Sequence, residues 1–390
     1  MDSVVCGESA FAVWRTPPLV CLLVNPLFRG AGTGVSLDRL ASLRTDLMAE
    51  RDLWRTSAGL HARGPAVSLD VAEGVMLNLR TLMASVEAPV DVLVASREER
   101  RPSRLLRPHV MDARLIEGEL RPLGSHLSLT SPALTLLQLA RGLSLPRLVA
   151  AVSEACGTFA VYRAPGPVAS LVEEMTAGAG VPEVGGWRPS FDGDGRLTDL
   201  WSRPALTTPG EIAALAARAR GQRGRSALAR AAELAVPGAA SPFEVQTGML
   251  LGLDPDLGGE GLGGFSHNER IVLGGRAREI ARQDGCRCDL LWPGEGGRGP
   301  LDVECHSRTF HLGEDRSLSD ADRALALQSM GVEVLFVTYA QIAGVRRFDA
   351  LARTVAEKLG RDVTPRTTDF LAARAELRRE VLVDSADLLA

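Results

Sequence analysis

The sequence predicts an α/β protein in two parts: a smaller α/β region, then a mixed β-sheet that helices flank at the C-terminal end. Three observations support this. Short apolar runs bounded by turn residues alternate with amphipathic segments along the chain. Its 390 residues suffice for two or three domains with their own cores. Hydrophobic and charged contents of 45% and 24% are typical of a globular protein.

Residues 1–165 form the first predicted region. The apolar runs at 19–25 and 90–96 predict buried strands because they are short and bounded by turn residues. Residues 37–54 have the spacing of an amphipathic helix. Residues 126–157 predict a strand followed by two helices. Ser131 stands before Pro132 as a helix-start signal.

Residues 166–240 are expected to connect the two parts. The stretch 163–205 is rich in Pro and Gly, which predicts a linker or an irregular segment. Residues 207–235 predict two helices, with Thr208 as the N-cap of the first. Five arginines lie around the joint between these helices: Arg218, Arg220, Arg223, Arg225 and Arg230. They are either a solvated helical face or a nucleic-acid-binding patch that contacts phosphates.

Residues 241–345 form the last predicted compact unit. Its expected elements, in order, are a helix (241–252), a Gly-rich turn (258–264), three strands (269–274, 286–292 and 301–306), a helix (318–330) and a strand (332–338). The remainder, 346–390, predicts a charged helical tail that packs on the outside.

Charge and cysteine usage limit the classes of function. The net charge of −4 gives no support for nucleic-acid binding by the molecule as a whole, but a local basic patch remains compatible with it. Lys358 is the only lysine. Six cysteines show no disulfide spacing, no signal peptide precedes them, and the run 19–24 is too short to cross a membrane. We therefore expect a cytoplasmic protein.

Zinc is one hypothesis for the thiols. Cys286, Cys288 and Cys305, together with His306, offer zinc-ligand chemistry. The C-x-C spacing is not the usual zinc knuckle, however, and thiols on strands are more often packed in a core. A structural zinc therefore stays the weaker alternative, and with it a zinc-stabilised interaction domain.

The stretch 301–323 concentrates acidic residues. In the strand predicted there, Asp302, Glu304 and His306 share one face, while apolar residues occupy the other. Asp289 interrupts the preceding apolar strand. Because isolated carboxylates are costly to bury, these residues need solvent, a partner or a metal ion. Asp289 and Glu304 on neighbouring strands predict an Mg²⁺ or Mn²⁺ site, and His306 would act as a ligand or base.

These residues resemble the PD-(D/E)xK nuclease superfamily, and more narrowly the bacterial domains akin to very-short-patch repair endonucleases. The resemblance covers about 100 residues and lies in the order of its motifs. They are Glu244 in "SPFEVQTGMLL", Asp289 in "CDLLWP", Glu304 in "VECHS", His311, and Asp320 and Arg323 in "DADRALALQSMG". It implies a restriction-endonuclease-like fold.

The resemblance also implies roles for these residues. Asp289 and Glu304 would hold the metal, His306 would replace the family's usual lysine, and Glu244 would assist. His311, Asp320 and Arg323 would orient the scissile phosphate or support the metal. The missing lysine is a departure that weakens the catalytic expectation.

Simpler interpretations exist for several of these residues. Glu244 in "SPFE" fits a helix capping box. Asp320 and Arg323 fit an ordinary i,i+3 pair on a helix, and His311 fits a loop position without a task.

Upstream, "LSLTSPALTLLQLAR" and the helical pair at 207–235 resemble abortive-infection antitoxin (AbiEi-like) proteins. Together the resemblances imply a DNA endonuclease in repair, phage defence or a toxin–antitoxin setting, with DNA and a cognate toxin or antitoxin as partners. The alternative is a DNA-binding regulator or antitoxin whose nuclease-like domain does not cut.

Overall fold

The computed structural model describes residues 3–50, 81–123, 127–178, 180–306 and 314–389. Within these ranges the protein has the predicted α/β class, with helices packed around three β-sheets. No helix in them is long and apolar enough to cross a membrane.

The first sheet has the strand order β3-β2-β1-β5-β4. Its central strand β1 runs antiparallel to β2 and parallel to β5. The strands are β1 (Ser3–Val5), β2 (Val90–Val94), β3 (Leu106–Val110), β4 (Leu120–Pro122) and β5 (Leu127–Thr130). The helices of this region are α1 (Gly7–Arg15), α2 (Pro18–Val24), α3 (Leu37–Glu50), α4 (Ala113–Ile116), α5 (Pro132–Leu139) and α6 (Leu145–Ala155).

The predicted strand at 19–25 is wrong, because this run forms helix α2. Every residue from Leu19 to Val24 is buried. A run that is apolar on all sides has neither the strand period nor the helix period, so periodicity cannot separate the two. Pro18 at the first helical position, with its φ fixed near the helical value, was the available signal.

Other predictions for this region are confirmed where the structure describes it. Helix α3 covers the predicted amphipathic segment up to Glu50, and the rest of that segment lies outside the described residues. Strand β2 lies in the predicted run at 90–96, and β5, α5 and α6 follow one another as expected. The Ser131 hydroxyl accepts a hydrogen bond from the Leu134 amide at 3.1 Å, which confirms the N-cap of α5.

The predicted irregular segment at 163–205 contains regular structure instead. It forms helix α7 (Gly166–Ala177) and a hairpin of β7 (Arg188–Phe191) and β8 (Leu197–Ser202). With β6 (Phe159–Val161) these strands make an antiparallel sheet of order β6-β8-β7. Gly193 and Gly195 lie in the turn of the hairpin, whereas Pro189 lies within β7. Trp201, which is fully buried, anchors β8 in the core.

The two connecting helices are confirmed as α8 (Pro209–Arg218) and α9 (Arg225–Leu234). Thr208 and Glu211 form a reciprocal capping box at the start of α8.

The last sheet has the strand order β12-β11-β10-β9. Strands β9, β10 and β11 form an antiparallel meander, and a helical crossover leads to β12, which lies parallel to β11. In chain order the elements are α10 (Pro242–Gly252), β9 (Ser266–Val272), α11 (Gly275–Ala281), β10 (Gly285–Trp292), β11 (Leu301–His306), α12 (Glu314–Ser329) and β12 (Glu333–Thr338). All the predicted elements are present, and α11 was not predicted.

The C-terminal segment is helical as predicted, but it packs into the core instead of outside it. It contains α14 (Val345–Leu359) and α15 (Thr368–Val381), and α13 (Tyr339–Ala343), which precedes it, was not predicted. Phe348 and Leu377 belong to the same hydrophobic cluster as Trp292 of β10. Arg374 is also buried, and its guanidinium forms ion pairs with Glu260 and Asp349. A charged helix can therefore be internal when its arginines meet buried carboxylates.

Candidate functional site

Strand β11 presents an apolar face and an acidic face, as the alternation predicts. Leu301 and Val303 belong to the large core cluster. Asp302 and Glu304 lie on the opposite face and are also buried. Placing two carboxylates on the inner part of a sheet is costly, so the groups around them decide what this site can do.

Asp289 lies where the regular alternation of β10 breaks. Cys286 and Cys288 pack in one cluster, whereas Leu290 and Trp292 pack in the other, so the strand changes face between Cys288 and Leu290. The residue across from this point on β9 is Asn268, with a left-handed φ of 51°. Asparagine tolerates that conformation better than most residues.

Two contacts fix Asp289. Its carboxylate accepts a hydrogen bond from the Cys305 amide at 2.8 Å, which ties it to β11. Its carbonyl accepts a bond from His267 Nδ1 at 3.0 Å. Burial lowers the pKa of His267 to about 4, so this imidazole is neutral and acts as a donor that holds the backbone.

Glu244 stands at the start of α10 and points into the same region. Its carboxylate accepts hydrogen bonds from the Ala240 amide at 2.8 Å, the Ser241 hydroxyl at 2.8 Å and the Asn268 amide group at 2.6 Å. The Ser241 hydroxyl in turn accepts from the Glu244 amide, which confirms the cap. Burial, with a contribution from nearby Asp289, nevertheless raises the pKa of Glu244 to about 8.

Asp302 and Glu304 form the second half of the acidic group. Glu304 pairs with Arg323 of α12 at 3.0 Å, and the same guanidinium group donates to the Arg287 carbonyl at 2.8 Å. Asp302 is fully buried, and by distance and angle neither of its oxygens has a hydrogen-bond donor among the described residues. The Glu304 carboxyl and the Cys288 thiol lie beside it.

This arrangement favours a protonated acid. Burial raises the pKa of Asp302 to about 6, and the negative charge of Asp289 acts in the same direction. Two carboxyl groups in contact form a hydrogen bond only when one of them keeps its proton.

His306 lies at the end of β11. Its ring meets the edge of Phe336 at a centroid distance of 4.5 Å. Together with Glu304 and Arg323 it lines a cleft of about 10 Å³, which is room for one water molecule. The only lysine does not replace it. Lys358 pairs with Glu333, which stands opposite Leu301, five residues or roughly 16 Å along the strand from His306.

The structure therefore places Glu244 near Asp289, ties Asp289 to β11 next to Glu304, and pairs Glu304 with Arg323. Of the other supporting residues, His311 lies outside the described residues. Asp320 lies within α12, but its side chain is outside what the structure describes. The predicted pairing of Asp320 with Arg323 stays a prediction.

The three thiols of the zinc hypothesis do not converge. Cys286 and Cys288 pack in the cluster beneath α11 and α12, whereas Cys305 packs against the large core on the opposite face of the sheet. Burial raises the pKa of Cys288 and of Cys305, which disfavours the thiolate that zinc requires. A site built on these three cysteines is not supported.

The five connector arginines do not act as one patch. Arg218 pairs with Glu119, Arg230 pairs with Glu233 and Asp254, and Arg225 donates to the Ala216 carbonyl at 2.8 Å. The other two, Arg220 and Arg223, are exposed and form no ion pair within the described part of the chain. These two keep the charge that phosphate contact requires.

The donor set fits a hard cation better than a soft one. Carboxylate oxygens are the ligands that Mg²⁺ and Mn²⁺ prefer, and the buried Asp302 carboxyl lacks a donor. In the conformation described, no three His, Cys, Asp or Glu side chains of the described ranges are arranged to hold a metal ion. Glu304 would have to turn from Arg323 towards Asp289 to act as a ligand.

Sequence reasoning missed three residues of this site. Asp302 is predicted on the acidic face without a role, and no sequence pattern indicates that His267 holds the Asp289 backbone. Asn268 carried no signal, because neither its φ nor its bond to Glu244 can be read from one sequence.

No family model, no curated protein and no solved structure matches this chain.

Proposed function

We propose that the protein is a metal-dependent endonuclease that hydrolyses DNA phosphodiester bonds. The observation that carries the proposal is the link from Glu244 through Asp289 to β11. The charge of Asp289 contributes to the raised pKa of Glu244, and the Asp289 carboxylate accepts a hydrogen bond from the amide of Cys305, the residue next to Glu304.

The order of elements supports the same proposal. The resemblance to very-short-patch repair endonucleases implies a fixed order of elements, and the order in this chain agrees with it. A helix with an acid comes first, followed by a strand with Asp, a strand with Glu, and a helix that leads into a parallel strand. A restriction-endonuclease-like fold for residues 241–345, with an AbiEi-like region before it, is part of the proposal.

The residues divide the work as follows. Asp289 and Glu304 would hold Mg²⁺ or Mn²⁺, which when bound supplies charge neutralisation and an activated water. Glu244, with its raised pKa, holds a proton at neutral pH that it can exchange with water near Asp289. Arg323 is placed to bind a phosphate oxygen once it releases Glu304. His306 occupies the position of the usual lysine and would orient the attacking water.

The test compares Glu304→Gln and Asp289→Asn with the wild type. We expect Mg²⁺ or Mn²⁺ binding by calorimetry and plasmid nicking to be lost together in both variants. Glu269→Gln is the matched control, because Glu269 is an exposed carboxylate on the same sheet. Nicking that survives in both site variants, or that is absent from the wild type with either metal, would contradict the proposal.

The second candidate is a DNA-binding regulator or antitoxin whose nuclease-like domain does not cut. The Arg323–Glu304 pair favours it, because an ion pair within the site occupies a carboxylate that the metal needs. This candidate predicts metal-independent DNA binding that Glu304→Gln leaves unchanged, with no nicking by the wild type.

A further inference from the structure

A cavity of about 320 Å³ lies in the N-terminal region, distant in sequence from the acidic site. It is enclosed by the start of α1, the face of β2 and β3 that carries Asp91 and His109, and the turn between α5 and α6. Its volume is at the small end of ligand sites, which begin at about 300 Å³.

A buried carboxylate organises one wall of this cavity. Asp91 is buried, and its Oδ2 accepts bonds from the Ser9 amide at 3.3 Å and hydroxyl at 3.2 Å. Its Oδ1 meets Arg107 Nε at 2.9 Å and His109 Nε2 at 2.6 Å. Because a carboxylate only accepts, His109 donates from Nε2, and Nδ1 is the ring's remaining polar atom. This carboxylate orients an imidazole and a guanidinium, as carboxylates behind ligand-binding histidines do.

Arg141 forms the opposite wall and lacks a counter-ion. Its Nε is buried without a hydrogen-bond partner among the described residues, and its guanidinium makes only a long bond of 3.4 Å to Gln222. Burial lowers the pKa of Arg141, and nearby Arg223 lowers it further. A half-buried guanidinium with a second cation beside it is costly unless an anion binds to it.

The balance of charge agrees with an anionic ligand. Asp91 and Glu8 carry two negative charges, and Arg107, which pairs with them at 2.9 and 3.2 Å, carries one positive charge. Arg141 and Arg223 then leave the cavity with uncompensated positive charge. The site is built for binding and not for thiol chemistry, because burial first, and Asp91 second, raise the pKa of Cys6 and keep its thiol neutral.

We infer that this cavity binds a small phosphate monoester, of about the size of a mononucleotide. The guanidinium of Arg141 donates to the phosphate oxygens, and Nδ1 of His109 accepts from a hydroxyl of the ligand. A planar guanidinium offers the two-bond geometry that phosphate oxygens accept. The inference does not depend on nuclease activity, since it involves none of the residues of the acidic site.

The test is calorimetric titration of the full-length protein with inorganic phosphate, with adenosine 5′-monophosphate and with adenosine. We expect the monophosphate to bind and adenosine not to bind. Arg141→Met should weaken the monophosphate by roughly tenfold or more, as the loss of a charge-assisted bond implies. Arg114→Met is the matched control, because Arg114 is an exposed arginine of the same region outside the cavity, and it should change the affinity by less than about twofold.

Two further measurements keep the inference falsifiable. If Arg141→Met does not fold, His109→Gln, which keeps a donor for Asp91, must weaken the monophosphate instead. Competition between the monophosphate and single-stranded DNA, with either a 5′-phosphate or a 5′-hydroxyl end, shows whether the cavity binds a free monophosphate or the phosphorylated end of a DNA strand. Absence of monophosphate binding, equal binding by Arg141→Met, or binding confined to the phosphorylated strand would overturn the inference.

Discussion

Asp302→Asn should stabilise the protein at neutral and alkaline pH. The Asp302 carboxyl is fully buried, and neither oxygen has a donor among the described residues. Asparagine has the same shape and no charge, so the substitution removes the cost of burying an ionised carboxylate without leaving a cavity.

The magnitude follows from the pKa. Burial raises the pKa of Asp302 from 3.8 to about 6, and each pKa unit corresponds to about 1.4 kcal/mol, so the ionised form costs about 3 kcal/mol. Because the folded protein holds this proton more tightly than the unfolded chain, the wild type loses stability as pH rises from about 4 to about 6. Above that range the penalty is constant, and below it the penalty disappears.

The assay is urea unfolding of wild type and Asp302→Asn from pH 4 to pH 8. We expect no difference at the acidic end and a gain of about 3 kcal/mol for the variant above pH 6. Asp256→Asn, at an exposed carboxyl outside the site, should differ from wild type by less than about 0.5 kcal/mol at every pH. A variant that is less stable at pH 8, or a difference that is independent of pH, would refute the reasoning.

Two other predictions concern the cations around the site. The first is a double-mutant cycle of Arg323→Met and Glu304→Gln, measured by urea unfolding. Each substitution alone leaves the charge of its partner without a counter-ion, so it should lower the free energy of unfolding more than it does when the other substitution is already present. We expect a coupling free energy of about 1–3 kcal/mol. Purely additive effects would contradict the ion pair. The second is the double variant Arg220→Ala with Arg223→Ala, which should weaken DNA binding. The slope of log K against log salt concentration, measured by fluorescence anisotropy, should fall by the amount that about two phosphate contacts contribute. An unchanged salt dependence would exclude these arginines from the DNA contact.

Local signals in the sequence were sufficient for most of the C-terminal unit. The Ser241 and Thr208 caps, and the alternation in 301–306, predicted helix starts and a strand that the structure confirms. The prediction for helix α2 was wrong because a segment that is buried on every side shows neither the strand period nor the helix period. The hairpin of β7 and β8 was not predicted, because its strands lie among glycines and prolines, which indicate turns and hide the pattern of a strand.

The candidate site was only partly predictable, since its acids are brought together by tertiary contacts. Glu304 and Asp289 followed from strand patterns, but the Arg323 guanidinium that binds Glu304 comes from a helix whose packing no periodicity defines. The cavity beside Asp91 was unpredictable for the same reason. Its walls come from α1, β2, β3 and the turn after α5, which are separated by up to about 130 residues of sequence.

Asn268 connects the backbone geometry of the sheet to the contacts of the acidic site. Its left-handed φ accompanies the change of face in β9 and β10, so that Asp289 falls at the change and not within a regular core strand. Its side-chain amide donates a hydrogen bond to the buried carboxyl of Glu244, which without Asn268 would accept one hydrogen bond fewer. With regular alternation Asp289 would lie on the face of Leu291, which pairs with Asp302 of β11. At the change of face the Asp289 carboxylate instead accepts from the Cys305 amide, and its charge contributes to the raised pKa of Glu244. The irregular backbone therefore accompanies a contact of Asp289 with the backbone of β11 and an electrostatic effect on Glu244 at the start of α10.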